Sequence, residues 1–284
     1  MNIGIIGLGL MGGSFGRTLT KKTSHKVYGL DIDKNVLLKG EMVGAFHEVL
    51  TTKNAKELDL LIISVFEDAF ALSVEQFLPY LKKGAIVCDF CGIKRRIVEK
   101  MREYAKDYPQ ITVIGGHPMA GREFSGIEHS TTTLFDKASM ILCPVNADVY
   151  VLESFKQFFL DLGFLEVVFT SSENHDKMIA YTSQLCHIVS NAFIKNETAK
   201  SHFGYSAGSY KDLTRVARLN PKMWSSLMIN NKDVLKGELI ELIGNLNKYL
   251  QALELGDKDM LEKLLSEGNE RKLAIDSRSK KSGN

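Results

Sequence analysis

Short, continuous runs of apolar residues alternate with helical segments through the first 170 residues of the chain. The runs have the length of buried strands and cover residues 2–6, 27–30, 58–65, 85–89, 111–114, 139–143 and 165–169. Helical periodicity fills most of the gaps, from after Gly12 to about residue 21 and over residues 67–81, 94–104 and 148–162. Strand–helix pairs with apolar strands are typical of a parallel sheet covered by helices on both faces. Residues 1–171 are therefore predicted to form a doubly wound α/β domain.

The pattern changes after residue 170, where strand signals give way to helical spacing. Ser171 and Ser172 are both suited to cap a long helix at this point. An apolar, all-helical segment of this size often intertwines with a second copy. Residues 172–284 are thus predicted to be an all-α dimerisation domain of a homodimer, with a disordered tail at 276–284. Its later helices are predicted over residues 221–230, 232–255 and 258–275.

Composition narrows the possible partners. The chain has 284 residues and a formal net charge of only +2, so no general basic field for nucleic acid is predicted. No apolar run approaches the ~20 residues that span a bilayer, and the first residues lack a signal peptide's charged region. The four cysteines fit best as reduced thiols of a cytoplasmic protein. Cys88 and Cys91 form one C-x-x-C without a second pair or histidines at ligand spacing, so no metal site is predicted.

A glycine-rich turn joins the first predicted strand to the first predicted helix. Its sequence is Gly7-Leu-Gly-Leu-Met-Gly12, which in this context is typical of a Rossmann-type dinucleotide-binding domain. Gly7 would allow the tight turn, Gly9 a close approach of the pyrophosphate, and Gly12 close packing of helix on strand. The alternative is a turn that holds no ligand. The predicted cofactor contacts here are Gly7, Leu8, Gly9, Leu10, Met11 and Gly12.

An acidic residue predicts which dinucleotide is bound. Asp31 ends the second predicted strand about 20 residues after Gly12, the spacing expected of an acid that binds the ribose hydroxyls. Its charge would repel a 2′-phosphate, and Asp33 lies nearby. The sequence therefore predicts NAD rather than NADP as cofactor.

His117 is the candidate catalytic base. It is predicted to fall just past the strand 111–114, at the sheet edge where ligands bind in open parallel sheets. Pro118 and Gly121 predict a loop that presents the imidazole, which can take a proton near neutral pH. A lone histidine is more often one that hydrogen-bonds a turn. The crowding of glycines, Arg122 and Glu123 around it, together with the upstream nucleotide motif, favours the catalytic interpretation.

The helical part contains further polar candidates. His175 and His187 are about 12 residues apart, or about 1200° of helix, so they are predicted to point roughly 120° apart. His187 could contact a substrate or be buried in the core. Lys211 and Arg215 share one helix face, as a solvated surface or as a clamp for an acidic substrate. Trp224 is expected to fill core rather than to wall a pocket.

Taken together, these segments resemble the prephenate dehydrogenase family, which includes the arogenate and cyclohexadienyl dehydrogenases of tyrosine biosynthesis. The resemblance covers essentially the whole chain. The histidine–proline loop combined with a Lys-Asp-x-Thr-Arg segment is its most specific part. The segments that carry it are Gly7-Leu-Gly-Leu-Met-Gly-Gly-Ser14, Gly116-His-Pro-Met-Ala-Gly121 with Glu123 and Ser125-Gly126, His175-Asp176 with His187, and Gly208-Ser-Tyr-Lys-Asp-Leu-Thr-Arg215 with Trp224.

The resemblance implies oxidative decarboxylation of prephenate to 4-hydroxyphenylpyruvate with reduction of NAD. His117 would match the catalytic histidine that bonds the ring hydroxyl, and Arg215 the arginine that binds the side-chain carboxylate. His187 would match a second histidine that contacts the substrate, and Glu123 an acid of the pocket. The full set of substrate-binding candidates is His187, Arg215, Glu123, Gly208, Lys211 and Trp224.

One position departs from the family pattern. The family often carries a serine in a segment like Asp-x-Gly-Ser-x-Lys, where it helps to hold the ring hydroxyl. Here the segment is Asp89-Phe-Cys-Gly-Ile-Lys94, and Gly92 stands in the serine's place. A backbone or water contact would have to substitute for the hydroxyl, or His117 would act alone.

Three other functions compete with the prephenate reaction. Arogenate, or both cyclohexadienyl substrates, could replace prephenate without any change in the motifs. A β-hydroxyacid dehydrogenase would need a catalytic lysine early in the helical domain, for which Lys177 is the candidate, and it would leave the histidine–proline loop without a role. A dinucleotide-binding sensor without turnover would keep Asp31 but would not need His117 and Arg215 together.

Overall fold

The computed structural model describes residues 1–122 and 124–282, with the backbone alone for 278–282. Strands in this part of the chain form one sheet in the order β3-β2-β1-β4-β5-β6-β7-β8. The strands are β1 (Asn2–Ile6), β2 (Lys26–Leu30), β3 (Glu48–Val49), β4 (Leu60–Ile63), β5 (Ile86–Asp89), β6 (Thr112–Pro118), β7 (Ser139–Pro144) and β8 (Glu166–Phe169).

Helices lie between most of the strands and in much of the chain after β8. A π-helical segment, Ala180–Leu185, joins the sixth helix to the seventh. The helices are α1 (Leu10–Lys22), α2 (Lys34–Met42), α3 (Phe70–Glu75), α4 (Arg95–Asp107), α5 (Val149–Asp161), α6 (Ser172–Ile179), α7 (Cys186–Phe193), α8 (Gly208–Thr214), α9 (Pro221–Asn230), α10 (Lys232–Leu255) and α11 (Lys258–Ser282).

The sheet confirms the predicted doubly wound architecture with one departure. Strands β1 to β6 pair in parallel, and the strand order reverses direction between β1 and β4. Strand β7, however, runs antiparallel to β6, and β8 is parallel to β7. The described part of the β6–β7 connection contains the 3₁₀ turn Ile127–His129 and no crossover helix. Without such a crossover a parallel partner is not readily reached, which explains the reversal.

The core lies on both faces of the sheet, as the alternation of side chains along each strand requires. On β4, Leu60 and Ile62 join one buried cluster, whereas Leu61 and Ile63 join the other. Phe15 of α1 stands at the centre of an aromatic group in the first cluster, with Phe90 at 5.0 Å between ring centroids. The sheet is therefore enclosed between two helical layers.

Helix ends follow local capping chemistry. The side chain of Asp148 accepts from the N–H of Val151 at the start of α5, and Ser171 accepts from Asn174 at the start of α6. The predicted helix over 67–81 is wrong, because it breaks into a 3₁₀ turn, α3 and the 3₁₀ turn Leu78–Tyr80. Pro79 lacks the N–H needed to continue a helix through this point.

The chain divides into two compact units, Met1–Asn231 and Lys232–Asn284. Secondary structure changes to all-helical at Ser172, as predicted, yet α6 to α9 belong to the same compact unit as the sheet. Periodicity locates the change in secondary structure but not the packing of each helix, so the domain boundary after residue 171 stays a prediction.

The second unit is built from α10 and α11, which pack on each other. Helix α11 continues to Ser282, and the disorder predicted for residues 276–284 stays a prediction. Pairs four residues apart, such as Arg271 with Glu267, support this helix. No helix of the described residues is long and apolar enough to cross a membrane.

Candidate active site

The glycine-rich turn is a shaped backbone cradle. Gly7 has a φ of +88°, and a Cβ there would lie 2.3 Å from the carbonyl oxygen of Ser64. A Cβ on Gly12 would lie 1.9 Å from the carbonyl oxygen of Gly7, so helix and turn touch at this point. A Cβ on Gly9, by contrast, would meet no atom within 4 Å. Each glycine thus has the geometry that its predicted role needs, and Gly9 borders open space at the N-terminus of α1.

Asp31 fastens this cradle to the end of β2. Its Oδ2 accepts from the N–H of Leu8 at 2.8 Å, and its Oδ1 accepts from the N–H of Asp33 at 2.9 Å. Leu8 itself is fully buried, whereas Leu10 and Met11 are half-buried in the first turn of α1. A carboxylate has about four acceptor positions, so Asp31 keeps capacity for ribose hydroxyls.

His117 lies within strand β6 and not in a loop after it. The strand extends to Pro118 because β7 pairs with it, with His117 opposite Ile141. The predicted end of this strand at residue 114 is therefore wrong, since an antiparallel partner prolongs the ladder. His117 nevertheless stands at the carboxyl end of β6, the same sheet edge at which β1 runs into the glycine turn. Its side chain is half-buried, so it remains accessible to a ligand.

The imidazole of His117 is held by a second histidine. Its Nδ1 lies 2.9 Å from Nε2 of His175, and Nδ1 of His175 lies 2.7 Å from Oδ1 of Asp176. The side chains of His175 and Asp176 are completely buried. Of the two histidines on the predicted long helix, His175 is thus the one that contacts His117.

Asp176 in turn occupies the N-terminus of helix α4. Its two carboxylate oxygens accept from the backbone N–H of Lys94 at 2.7 Å and of Arg95 at 3.0 Å. Burial works to raise the pKa of Asp176, but the bonds from His175, Arg95 and Lys94 outweigh it and the pKa is lowered. Asp176 is therefore an ionised cap for α4 and an acceptor for His175.

A second buried ion pair, Lys94 with Asp89, lies next to strand β6. Lys94 donates to Asp89, and both side chains are fully buried. Asp89 also accepts from the N–H of Cys91 at 2.8 Å and of Gly116 at 3.1 Å. Burial works to lower the pKa of Lys94, but Asp89 outweighs it and the pKa is raised. This pair fixes the backbone next to His117, and sequence reasoning missed it because lysine is seldom fully buried.

The electrostatic setting keeps His117 neutral. Burial lowers the pKa of His117 below its ordinary value of 6.5, and the proximity of His175 and Lys94 lowers it further. Burial also lowers the pKa of His175, although Asp176 opposes this. A neutral imidazole can accept a proton, so His117 is in the form that a general base needs.

The π-helical segment changes the relation between His175 and His187. A π turn holds about one residue more than an α turn, which removes about 100° from the predicted angle of about 120°. The angle of about 120° predicted for an unbroken α-helix therefore does not apply to these two histidines.

His187, Trp224 and Arg215 form a second group. The rings of His187 and Trp224 stack with centroids 3.8 Å apart, and both residues are half-buried rather than in the core. His187 Nδ1–H donates to the carbonyl of Ser183 at 2.8 Å, which leaves Nε2 as an acceptor. Burial lowers the pKa of His187, and the charge of Arg215 adds to this effect. The structure thus brings three predicted substrate contacts together.

The remaining predicted residues lie around or outside this group. Gly208 and Lys211 are exposed on α8, and Arg215 is exposed at the end of that helix. Lys177, the candidate lysine of a β-hydroxyacid dehydrogenase, is exposed on α6. Glu123 lies outside the described residues.

Gly92 stands where the family often has a serine, and Leu227 lies next to it. A Cβ there would lie 3.3 Å from Cδ2 of Leu227 on α9, which is a tight contact. Leu227 therefore occupies the room next to this position, and His117 is oriented by His175. Whether a backbone or water contact or His117 alone holds the ring hydroxyl stays a prediction.

A mostly parallel sheet with a glycine cradle at its switch point is typical of a dinucleotide-binding domain, and here a neutral histidine stands at the same sheet edge. The family model for the nucleotide-binding domain of prephenate dehydrogenase matches residues 15–167. The model for the dimerization domain of prephenate dehydrogenase matches residues 171–267. The chain belongs to the prephenate dehydrogenase family, and the resemblance drawn from the motifs is confirmed.

Individual relatives agree along most of the chain. The cyclohexadienyl dehydrogenase of Zymomonas mobilis is 27% identical over 290 residues, covering 96% of each chain. The prephenate dehydrogenase of Lactococcus lactis is 27% identical, covering 96% of this chain and 77% of the relative. A crystal structure of prephenate dehydrogenase from A. aeolicus, in complex with hydroxyphenyl propionate and NAD⁺, superposes with a TM-score of 0.83 at 26% identity, covering 97% of this chain and 98% of the other.

Proposed function

We propose that this protein catalyses the NAD-dependent oxidative decarboxylation of prephenate to 4-hydroxyphenylpyruvate. The observation that carries the proposal is the half-buried, neutral His117 at the same sheet edge as the glycine cradle. Strands β4 and β5 separate β1 from β6, which places the two features roughly 14 Å apart by strand spacing. A dinucleotide extended from the cradle towards β6 would span such a separation.

The cradle fits NAD on its own geometry. Open space at Gly9 and the free N–H groups at the start of α1 suit a pyrophosphate, and Asp31 suits the ribose hydroxyls. Asp31 would repel the 2′-phosphate of NADP. When bound, the nicotinamide supplies the acceptor for the hydride. The complex of the A. aeolicus relative, which contains NAD⁺, supports the same choice.

His117 would begin the chemistry by taking the ring hydroxyl proton on Nε2. The C–H electron pair on the hydroxyl-bearing carbon then leaves as hydride, and that carbon becomes a carbonyl. The bond between the ring and its carboxylate breaks next, CO₂ departs, and the bonding electrons make the ring aromatic. His117 returns its proton to the phenolate oxygen or to solvent. Aromatisation drives the reaction, so one neutral base and an anion clamp are sufficient roles for the protein.

The His187–Trp224–Arg215 group would hold the other end of prephenate. Arg215 can bind the side-chain carboxylate with two parallel N–H donors, and Trp224 offers an apolar wall next to His187. Lys211, Gly208 and Glu123 stay predictions as further contacts at this end. A strong cation at the leaving carboxylate would oppose its loss as CO₂, so the clamp belongs at the side chain.

The protein is further proposed to be a homodimer. The match to the family's dimerization domain supports this, and α10 carries an exposed apolar stripe in its own unit. Leu246 lies in the middle of that stripe. Light scattering at micromolar concentration should give a dimer, and Leu246→Glu should weaken it. A monomeric parent protein would contradict the proposal. The stripe consists of Ile240, Ile243, Leu246, Leu250 and Leu253.

The reaction can be tested directly with the purified protein. Prephenate and NAD should give rising absorbance of the reduced cofactor, with 4-hydroxyphenylpyruvate as product. Arogenate and NADP, each run in parallel, should give lower kcat/KM. A clear preference for arogenate would replace the substrate but keep the reaction type, and turnover of neither substrate would reject the proposed function.

A further inference from the structure

A continuous chain of hydrogen bonds runs from the backbone at the start of α4 to the candidate base. It passes from the N–H groups of Lys94 and Arg95 to Asp176, then to His175 and on to His117. The links beyond His117 are fully buried, so water cannot replace any of them readily. Of the residues linked by these hydrogen bonds, His117 is the one with a part in the proposed reaction.

The donors at one end fix the direction of every bond. Asp176 receives backbone N–H groups on both oxygens and is ionised, so it can only accept. His175 must therefore donate from Nδ1, which leaves its Nε2 as an acceptor in the neutral ring. His117 must then donate from Nδ1, and its Nε2 carries the lone pair.

We propose that His175 and Asp176 are positioning residues that hold His117 in the Nδ1–H tautomer, with Nε2 directed to the substrate hydroxyl. This inference rests on the proposed function, since it gives the reacting nitrogen of the proposed base. In the opposite tautomer the substrate would meet an N–H donor, which cannot take a proton. As His117 gains its proton, its Nδ1–H bond to His175 strengthens, and the carboxylate of Asp176 backs the charge through His175. The arrangement has the same logic as an aspartate that orients the histidine of a serine protease, with one more ring inserted.

Because Gly92 supplies no hydroxyl, the hydrogen bonds through His175 matter more for orienting His117 than they would beside a serine. Glycine has no side chain, so residue 92 offers no hydroxyl to orient the base or the substrate, and Leu227 fills the room beside it. Within the described residues, the imidazole of His117 makes its hydrogen bond to His175. Loss of the His175 acceptor should therefore leave the tautomer of His117 without control.

Two substitutions at His175 separate positioning from packing. In His175→Gln, the longer amide can place its oxygen near the former Nε2 and accept from His117. In His175→Asn, the shorter amide lies near the former Nδ1 and cannot reach His117. Asp176 is less suitable for this purpose because it also caps α4 and its carbonyl accepts from the side chain of Asn231. The kcat of His175→Asn should fall about 10²-fold or more, the scale of general-base catalysis, and His175→Gln should recover most of it. Equal losses in both variants at matched thermal stability would overturn the proposal.

Tautomers can also be read without any turnover. In ¹⁵N-histidine NMR spectra of the unliganded full-length protein, His117 assigned by comparison with His117→Asn should show a protonated Nδ1 and an unprotonated Nε2 at pH 7. The His175→Asn variant should add the opposite tautomer, and His175→Gln should not. An Nε2–H tautomer in the parent protein would overturn the inference. If the parent spectrum is as expected but His117→Asn keeps its turnover, the positioning stands and the proposed base fails, so the two failures are distinguishable.

Discussion

The glycine cradle and the histidine pocket lie at the same sheet edge but are built on different physical terms. In the cradle the backbone does the work: Gly7, Gly9 and Gly12 act through shape, and Asp31 anchors the turn. In the pocket, ionisable side chains act, and buried partners set their protonation. A binding surface needs room at defined points, whereas a reacting group needs control of a proton. Substitutions in the two regions should therefore fail in different kinetic parameters.

Removal of the base should have the largest effect. His117→Asn should lower kcat by about 10²–10⁴-fold, the usual scale for a lost general base, and should leave NAD affinity nearly unchanged. Steady-state kinetics with prephenate and a separate NAD titration measure both quantities. His129→Asn, an exposed histidine on the β6–β7 connection, is the matched control and should behave as the parent. Near-normal turnover of His117→Asn would return this residue to a purely structural role.

Loss of the carboxylate clamp should be next in size and should appear in KM. Arg215→Ala removes a charge-assisted contact worth about 2–4 kcal/mol, so KM for prephenate should rise about 30- to 1000-fold while kcat changes little. Arg215→Lys should recover only part, because ammonium lacks the fork. Arg218→Ala, an exposed neighbour, is the control. An unchanged KM in Arg215→Ala would move the clamp to Lys211 or Arg122.

Filling the cradle should separate binding from folding. A Cβ on Gly9 meets no protein atom within 4 Å, so Gly9→Ala should keep the parent melting temperature yet raise KM for NAD about tenfold through lost approach of the pyrophosphate. In Gly12→Ala the Cβ would lie 1.9 Å from the oxygen of Gly7, so this variant should also lose stability. Gly237→Ala, in open space on α10, should leave KM for NAD unchanged. Normal NAD affinity in Gly9→Ala would mean that the pyrophosphate lies elsewhere.

The pH dependence of kcat/KM and of stability should be the smallest of these effects. His117 must be neutral to act, and its pKa is lowered below 6.5, so kcat/KM should stay flat from pH 8 to 6.5 and fall only at lower pH. The unfolded chain takes up this proton near pH 6.5, before the folded one does, so stability from His117 is complete above 6.5 and declines with acidification. A kcat/KM profile and melting curves at matched pH test this. An inflection in kcat/KM above pH 7 would contradict the assignment of His117 as base.

Local signals were sufficient for the cradle and insufficient for the pocket. The turn geometry of the glycine motif depends on neighbours in sequence, so it could be predicted from spacing alone, and the cap of α6 could be narrowed to Ser171 or Ser172. The bond from the N–H of Leu8 to Asp31 could not, because spacing predicted only a contact of Asp31 with the cofactor ribose. His117 was found from its motif, but its place inside β6 depends on pairing with β7, which no local pattern shows. The hydrogen bond between His117 and His175 could not be predicted, because β6 and α6 are brought together only by the fold.

Two further features explain the rest of the difference. The angle between His175 and His187 assumed an unbroken α-helix, and the π-helical segment Ala180–Leu185 carries no sequence signal that would have revealed it. Lys94 looked like an ordinary polar start of a helix, yet it is fully buried because Asp89 neutralises it. Such residues can be recognised only when their partners are brought together by the fold.

The cap on α4 also affects the order in which the parts of the site form during folding. Lys94 has no side-chain cap of its own, and its N–H waits for Asp176, 82 residues later in the chain. Contacts of such long sequence separation form late, because the intervening chain must first be ordered. During synthesis the sheet strands emerge before α6 exists, so His117 is made well before anything can align it. A nascent or truncated chain could therefore form the nucleotide cradle before the hydrogen bond that orients His117. Catalytic activity would then appear as one of the last events of folding.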